Sequence, residues 1–443
     1  MALSGPAANA VTGPLPRDAD AVVVGGGIVG CATAYYLARR GVRAVVIERG
    51  TAHGEQSRKN WGFVRQQGRD PAEVPLVMEA NRIWCGIERE LGADVEWTQG
   101  GNLALAPTPE RLALLEEWQA GARAFGLDTR MVRPKDLQAI VPGLAGDWIG
   151  GMFTPGDGHA DPPKATDAFA RAAAAHGASI HLGAAVRGIE ARDGRVRAVV
   201  TDGGEIRTSW VVCAAGAWSW RLARAVGLAL PQRWVRGTVA RTTVAPPVSP
   251  CAVWGPGLAF RQRRDGSFNI AAGGALDHDV TLDSLRQVRF FLPNFWRNKA
   301  LFRFHVGRPL ARSVGALLPG SAARRDPLIW DRAADPLPNP AKVARSFAEL
   351  QRVLPGLPRL RIATSWAGYI DATPDMIPVL GEAPGVAGFV LATGFSGHGF
   401  AMGPVAGRLV SELIVDGKAS LDLAPFRFSR FAEGAIGRPR NVL

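Results

Sequence analysis

Residues 20–50 read DAVVVGGGIVGCATAYYLARRGVRAVVIERG, and this stretch decides the fold. An apolar run at 21–24 leads into Gly25-Gly26-Gly27, a helix-forming segment, a second apolar run at 42–47 and an acid, Glu48. That order is strand, turn, helix, strand, with Gly25, Gly27 and Gly30 at G-x-G-x-x-G spacing. The first glycine permits a tight turn, the second lets a pyrophosphate approach the backbone, and the third lets the helix pack closely on the strand. Gly27, Ile28 and Val29 open the helix, where free N–H groups and a partial positive charge favour phosphate. Glu48, at the end of the second strand, suits ribose hydroxyls and repels a 2′-phosphate, so NADP is disfavoured.

The rest of the 443 residues bounds the class. The length allows two domains with well-buried cores. Apolar residues at 47% and charged residues at 21% are those of an ordinary globular protein. No apolar run approaches the roughly 20 residues that a membrane helix needs. Residues 1–18 lack a basic start and a long apolar centre, so a flexible leader is expected rather than a secretion signal. Cys31, Cys85, Cys213 and Cys251 show no metal-type spacing, so no metal site is expected, and reduced core thiols point to the cytoplasm. The formal charge of +13 comes from dispersed basic residues and no nucleic-acid module is visible, which excludes a nucleic-acid partner. The positive field favours an anionic cofactor, and an anionic substrate or the inner face of a membrane.

Along the chain, a polar glycine-containing loop at 48–70 precedes an amphipathic helix at about 71–92. Short strands flank a helix at about 109–125. Asp161 caps an alanine-rich helix that begins with Pro162-Pro163 and runs to His176. Short strands with a DG turn then suggest a β-meander inserted in a parallel sheet. A hairpin is expected at 260–274, and the basic, aromatic stretch at 285–309 reads as a lid or cap helix, with membrane docking as the alternative.

Three distant segments together resemble the D-amino-acid oxidase, glycine oxidase and sarcosine oxidase superfamily of FAD enzymes. They are the opening unit extended by SRKNWG (57–62), the stretch WVVCAAGAWSWRLARAVGLALP (210–231), and SWAGYIDATPDMIPVLG with ATGFSGHGFAMGPVAGRLVSELI (365–414). The resemblance covers residues 19–431 and is closer to the sarcosine and dimethylglycine dehydrogenase branch. It implies an α/β (α+β) fold: a Rossmann-like FAD-binding domain with an inserted β-meander, plus a mixed antiparallel-sheet substrate domain with cap helices. The expected boundaries are a leader at 1–18, FAD-binding parts at 19–92, 158–227 and 365–431, substrate-domain parts at 93–157 and 228–364 with an insertion at 285–330, and a tail at 432–443.

By the same resemblance FAD is bound non-covalently by the glycine turn, Glu48 and Arg49, Ser57, Arg58, Asn60, Trp61 and Gly62, Val186, Ala215, Gly216 and Trp218, Gly368, and the loop Gly394, Phe395, Ser396, Gly397, His398 and Gly399. Gly368 stands where monomeric sarcosine oxidases carry a flavin-linked cysteine, and His53 stands where some relatives use histidine in a different local pattern. The reaction implied is hydride removal from the carbon beside an amine nitrogen, giving an imine that hydrolyses. Tyr369 and His398 are the catalytic candidates, and Trp61, Phe63, Arg261 and Tyr369 the substrate-side candidates.

Relatives with a carboxylate-gripping arginine carry it where Ile370 stands here, so a clamp must come from Arg58, Arg65 or Arg261, or the substrate lacks a carboxylate. Asn269 takes the hairpin position of an oxidase lysine, which favours a quinone or electron carrier over oxygen as acceptor. Two other readings compete. One is a flavin- or NAD-dependent dehydrogenase or monooxygenase of another class, against which GFSGHGF argues; the other is a non-catalytic flavoprotein subunit of an electron-transfer complex.

Overall fold

The apolar runs around the glycine turn become adjacent parallel strands, Ala21–Val24 and Ala44–Glu48, joined by the helix Ile28–Arg39. The computed structural model describes residues 14–50, 54–273, 276–292, 302–328 and 336–437. A six-stranded sheet runs Val379–Glu382, Phe389–Thr393, Trp210–Cys213, Ala21–Val24, Ala44–Glu48, Ser179–Leu182, parallel except at its first pair. The strands Ala21–Val24 and Phe389–Thr393 are buried along their whole length. They read as continuous apolar runs because both faces are covered.

One face packs on the helices Ile28–Arg39, Pro162–Ala175 and Gly399–Asp416. Gly403 and Gly407 let Gly399–Asp416 cross Ile28–Arg39 at close range: a Cβ at Gly407 would lie 2.6 Å from the Ala32 carbonyl carbon. The other face carries the meander Val186–Arg192, Arg195–Thr201, Gly204–Arg207. The meander forms its own three-stranded sheet, and the strands on either side of it, Ser179–Leu182 and Trp210–Cys213, pair in the parallel one.

A ten-stranded mixed sheet makes the second layer. Its longest pairing sets Arg233–Val244 against Ile362–Ala372, opposing Gly237 to Gly368 and Arg236 to Tyr369. The expected hairpin is present as Leu258–Gln262 and Ser267–Ala271. The amphipathic helix forms at Val74–Leu91 and the next expected helix at Pro109–Arg123, and Asp161 caps Pro162–Ala175 by accepting from the Lys164 N–H at 2.9 Å. Ile362–Ala372 leaves this second sheet where Val379–Glu382 enters the first, so the seam between the sheets is lined by the distant segments of the sequence.

Within 285–309 the described parts are the end of a short helix, Leu282–Arg286, further helical residues at 288–292, the strand Phe302–His305 paired with Leu276–Asp279, and the start of the helix Arg308–Gly315. Leu285, Val306 and Leu318 are exposed around it. Residues 1–13 of the leader, His53, 293–301 and 329–335 of the basic region, and the end of the tail lie outside the described residues. Among the described residues no helix is long and apolar enough to cross a membrane.

Candidate active site

Each glycine of the opening turn is fixed by a close approach. Gly25 has φ +113°, and a Cβ there would lie 2.3 Å from the Ala214 carbonyl oxygen; at Gly30 a Cβ would lie 1.9 Å from the Gly25 oxygen. The Glu48 carboxylate braces the turn, accepting from the Gly26 N–H (2.7 Å) and the Gly50 N–H (2.6 Å). Ser57 Oγ accepts from the Ile28 N–H at 2.9 Å, seating the helix Glu55–Lys59 on the helix start. Asn60 shapes the loop by donating to the Ser57 oxygen and accepting from the Gly62 N–H, both at 2.7 Å.

A cavity of about 510 Å³ runs along the seam, within the usual range for small-molecule and cofactor sites. Its wall brings together Gly25, Gly27, Ile28, Val29, Glu48, Arg49, Ser57, Asn60, Val186, Ala215, Gly216, Trp218, Gly368, Phe395, Gly397, His398 and Gly399, with Trp61, Phe63 and Tyr369. The N-terminus of Gly399–Asp416 therefore faces the cavity, as that of Ile28–Arg39 does. Among the described residues no cysteine lines it, and none form a cluster able to hold a metal ion.

Other expected residues do not reach the wall. Gly30, Gly62, Gly394 and Ser396 shape the turns behind it. Arg58 is drawn away to Asp167, 2.7 Å distant. Arg261 is corrected from substrate contact to scaffold: it is fully buried, donating to the backbone oxygens of Trp61 (2.7 Å) and Ala160 (3.0 Å). Asn269 pairs in the sheet and its Nδ2 lies 3.5 Å from the Trp61 oxygen. A lysine lines the cavity all the same: Lys59, whose Cβ would be 3.1 Å from a Cβ at Gly368.

Tyr369 stacks on Trp234 (centroids 4.9 Å apart, 28° between planes) and meets Trp218 edge-on. Its carbonyl accepts from Gln56 Nε2 at 2.7 Å, while Gln56 Oε1 accepts from the Ala217 N–H at 2.7 Å. Gln56 thus ties two cavity-lining segments together, a role that only its place beside SRKNWG hinted at. Arg49 lies 3.9 Å over the Trp218 ring. Asp371 holds the glycine loop from behind, accepting from the Gly394 N–H (2.9 Å) and the Phe395 N–H (3.3 Å), and burial pushes its carboxyl up to about 6. His398 is buried, with Nδ1 3.1 Å from Glu73 Oε1; burial pulls its imidazole down to about 4, so the ring is neutral at pH 7.

On the side of the ten-stranded sheet, Trp254 is flanked by two guanidiniums, Arg65 at 4.6 Å and Arg111 at 5.0 Å from its ring. Arg65, Arg69 and Arg111 all line the cavity. Sequence reading had named Arg65 alone; the four-residue spacing of Arg65 and Arg69 was visible, but nothing pointed to Arg111 or Trp254.

The sequence profile described as FAD dependent oxidoreductase matches residues 20–413. Mouse sarcosine dehydrogenase, a mitochondrial protein, is 27% identical over 97% of this chain, and the chain spans 43% of that relative's length. Glycine oxidase of Geobacillus kaustophilus is 26% identical, with 94% of this chain and 98% of the relative covered. The structure of an L-amino acid deaminase from Proteus myxofaciens in complex with anthranilate superposes with a TM-score of 0.88, at 28% identity, over 96% of each chain.

Proposed function

Because the chain belongs to the FAD dependent oxidoreductase family and is an enzyme that uses FAD, we propose that it oxidises the C–N bond of an amine or amino acid. The supporting observation is the single cavity that runs from the phosphate-type turn at Gly25 and Gly27 to the aromatic wall of Trp61, Phe63 and Tyr369. In this reading 19–92, 158–227 and 365–431 hold the cofactor, and 93–157 and 228–364 cover the substrate.

The residues fit FAD on the geometry of this chain. Gly27, Ile28 and Val29 would present the helix N-terminus to the pyrophosphate, and Glu48 and the Val186 backbone, which line the same cavity, would hold the ribose and the adenine. Gly25 and Gly30 cannot carry a Cβ without displacing the backbone, which leaves the turn open to phosphate. Ala215, Gly216, Trp218 and Gly368 line the stretch that would hold the middle of the cofactor, and Gly397, His398 and Gly399 the stretch that would hold its ring end. No covalent link is proposed, since no cysteine among the described residues lines the cavity. FAD supplies the hydride acceptor, N5 of its ring.

The protein's part is positioning and exclusion of water. Trp61, Phe63 and Tyr369 hold the substrate carbon over the ring, and the pinned Tyr369 gives that wall a fixed plane. The N-terminus of Gly399–Asp416 stabilises negative charge developing at the ring. Neutral His398 adds a hydrogen-bonding group without a competing charge. Arg65 is the arginine of the three expected clamps that lines the cavity, and it takes the substrate carboxylate. The names of the similar proteins support an amino acid, with a secondary or N-methyl amine, a cyclic imino acid and a D-amino acid as candidates. The acceptor is a quinone or electron carrier, and the exposed Leu285, Val306 and Leu318 beside exposed Arg303 and Arg308 support contact with a membrane face.

An anaerobic screen tests this reading. The FAD-loaded protein is mixed with N-methyl amino acids, cyclic imino acids, D- and L-amino acids, and flavin absorbance is followed. Bleaching by at least one class, reversed by a quinone analogue faster than by oxygen, is expected. Reduction by NADH or NADPH alone, with no amine active, overturns it.

A further inference from the structure

At the Trp254 end of the cavity, Arg65 and Arg69 are buried and Arg111 is half-buried, and none of the three makes a direct ion pair among the described residues. Arg65 and Arg69 are 8% and 3% exposed, and their Nη1 atoms have no hydrogen-bond partner; nor has Arg111 Nε. The two buried acids nearby, Asp157 and Glu73, act on Arg65 and Arg69 only through space and spend their hydrogen bonds elsewhere. Asp157 accepts from the Gln66 N–H (2.8 Å), Gln66 Nε2 (3.0 Å) and the Gln67 N–H (3.2 Å), and Glu73 holds His398. The groups are also fixed in place, because Trp254 between Arg65 and Arg111 donates to Gln67 Oε1 at 3.0 Å, and Arg69 Nε donates to the Arg65 oxygen at 3.4 Å. Burial, and for Arg65 the neighbouring charge of Arg69, pulls the guanidiniums below their ordinary range.

Buried cations are retained where something pairs with them. A carboxylate occupies one guanidinium fork bidentately. An amino acid with a single carboxylate on Arg65 therefore leaves Arg69 Nη1 and Arg111 Nε without a direct anionic partner. We propose that Arg65, Arg69 and Arg111, gathered around Trp254, form a double-anion subsite, and that the preferred substrate is an amine-bearing dicarboxylate whose second carboxylate lies away from the C–N bond being oxidised. This rests on the amine-oxidising reading above, and it assigns Arg111 as the residue that selects the second charge.

The test separates the two. FAD-loaded protein is titrated with glutarate and with butyrate, which have no amine to oxidise, and binding is read by calorimetry and by the shift of the flavin absorbance. Glutarate is expected to bind at least tenfold more tightly than butyrate, and Arg111→Met to bring the ratio within threefold while butyrate affinity holds. Arg111→Lys, which keeps the charge, retains an intermediate ratio. Equal binding of the two acids by the unaltered protein overturns the proposal, and so does a glutarate preference that survives in both Arg111→Met and Arg69→Met. If no amine bleaches the flavin, the oxidase reading falls while the glutarate ratio still decides the subsite. If amines bleach it with no preference for dicarboxylates, the subsite falls and the oxidase reading stands.

Discussion

His398 Nδ1 lies 3.1 Å from Glu73 Oε1, a contact between residues 325 positions apart that joins the start of the C-terminal helix to the start of Val74–Leu91. The imidazole is neutral, so its Nδ1–H donates to the carboxylate and its other nitrogen is left as an acceptor. Burial holds its folded pKa at about 4, against an ordinary 6.5. The unfolded chain therefore binds a proton that the folded chain does not between those values, and the folded state loses stability as pH falls from 6.5 to 4. Thermal melts of the unaltered protein and of His398→Asn at pH 7, 5.5 and 4.5 isolate this contribution. The unaltered protein should lose ground to the variant as the pH falls; a difference that stays constant with pH argues against it.

Gly30→Ala should empty the protein of flavin. The new methyl group would sit 1.9 Å from the Gly25 oxygen, so the turn or the helix must move, at a cost of about 2–4 kcal/mol. The ratio of visible to ultraviolet absorbance after purification measures it, and full flavin content would contradict the close-packing argument. Gly41→Ala, with open space around its Cβ position, is the control for substituting a glycine as such; its positive φ costs stability but leaves flavin in place.

Gln56→Ala removes both hydrogen bonds that tie Ala217 to Tyr369. Each bond is worth about 1 kcal/mol net, with more for a buried group left unpaired. Flavin affinity should fall by roughly 10- to 100-fold, that is by about 1.4–2.8 kcal/mol. Gln56→Glu keeps one acceptor and should recover only the Ala217 bond. Unchanged affinity in Gln56→Ala would mean the bridge is not part of the cofactor wall.

Arg430→Met should destabilise the whole chain. Arg430 and Asp375 form a buried pair, Nε to Oδ2 2.8 Å and Nη2 to Oδ1 3.2 Å, with Arg430 also donating to the Ile377 oxygen. Removing one partner leaves a buried charge, a loss of about 3–5 kcal/mol. Adding Asp375→Asn should restore part of it. The exposed pair Arg43 and Asp20 is the contrast: Arg43→Met should leave the melting temperature where it is, because solvent screens that pair.

The sequence by itself determined the glycine turn, the strands flanking it and the segments that return to it. Local chemistry carries those signals: turn glycines at fixed spacing, apolar runs of strand length, an Asp161 cap. It did not place Arg58 and Arg261 correctly. Both are arginines near the expected site, and only tertiary structure shows Arg58 paired with Asp167 and Arg261 spent on backbone oxygens. Nor did it find Gln56 as a bridge, Lys59 at Gly368 or Arg111 beside Trp254, because each acts on a partner far along the chain and leaves no periodic trace. Backbone turns are written locally, in residues that alone tolerate the geometry. The balance of buried charge is decided by which distant strands fold face to face, and that decided the substrate end of the cavity.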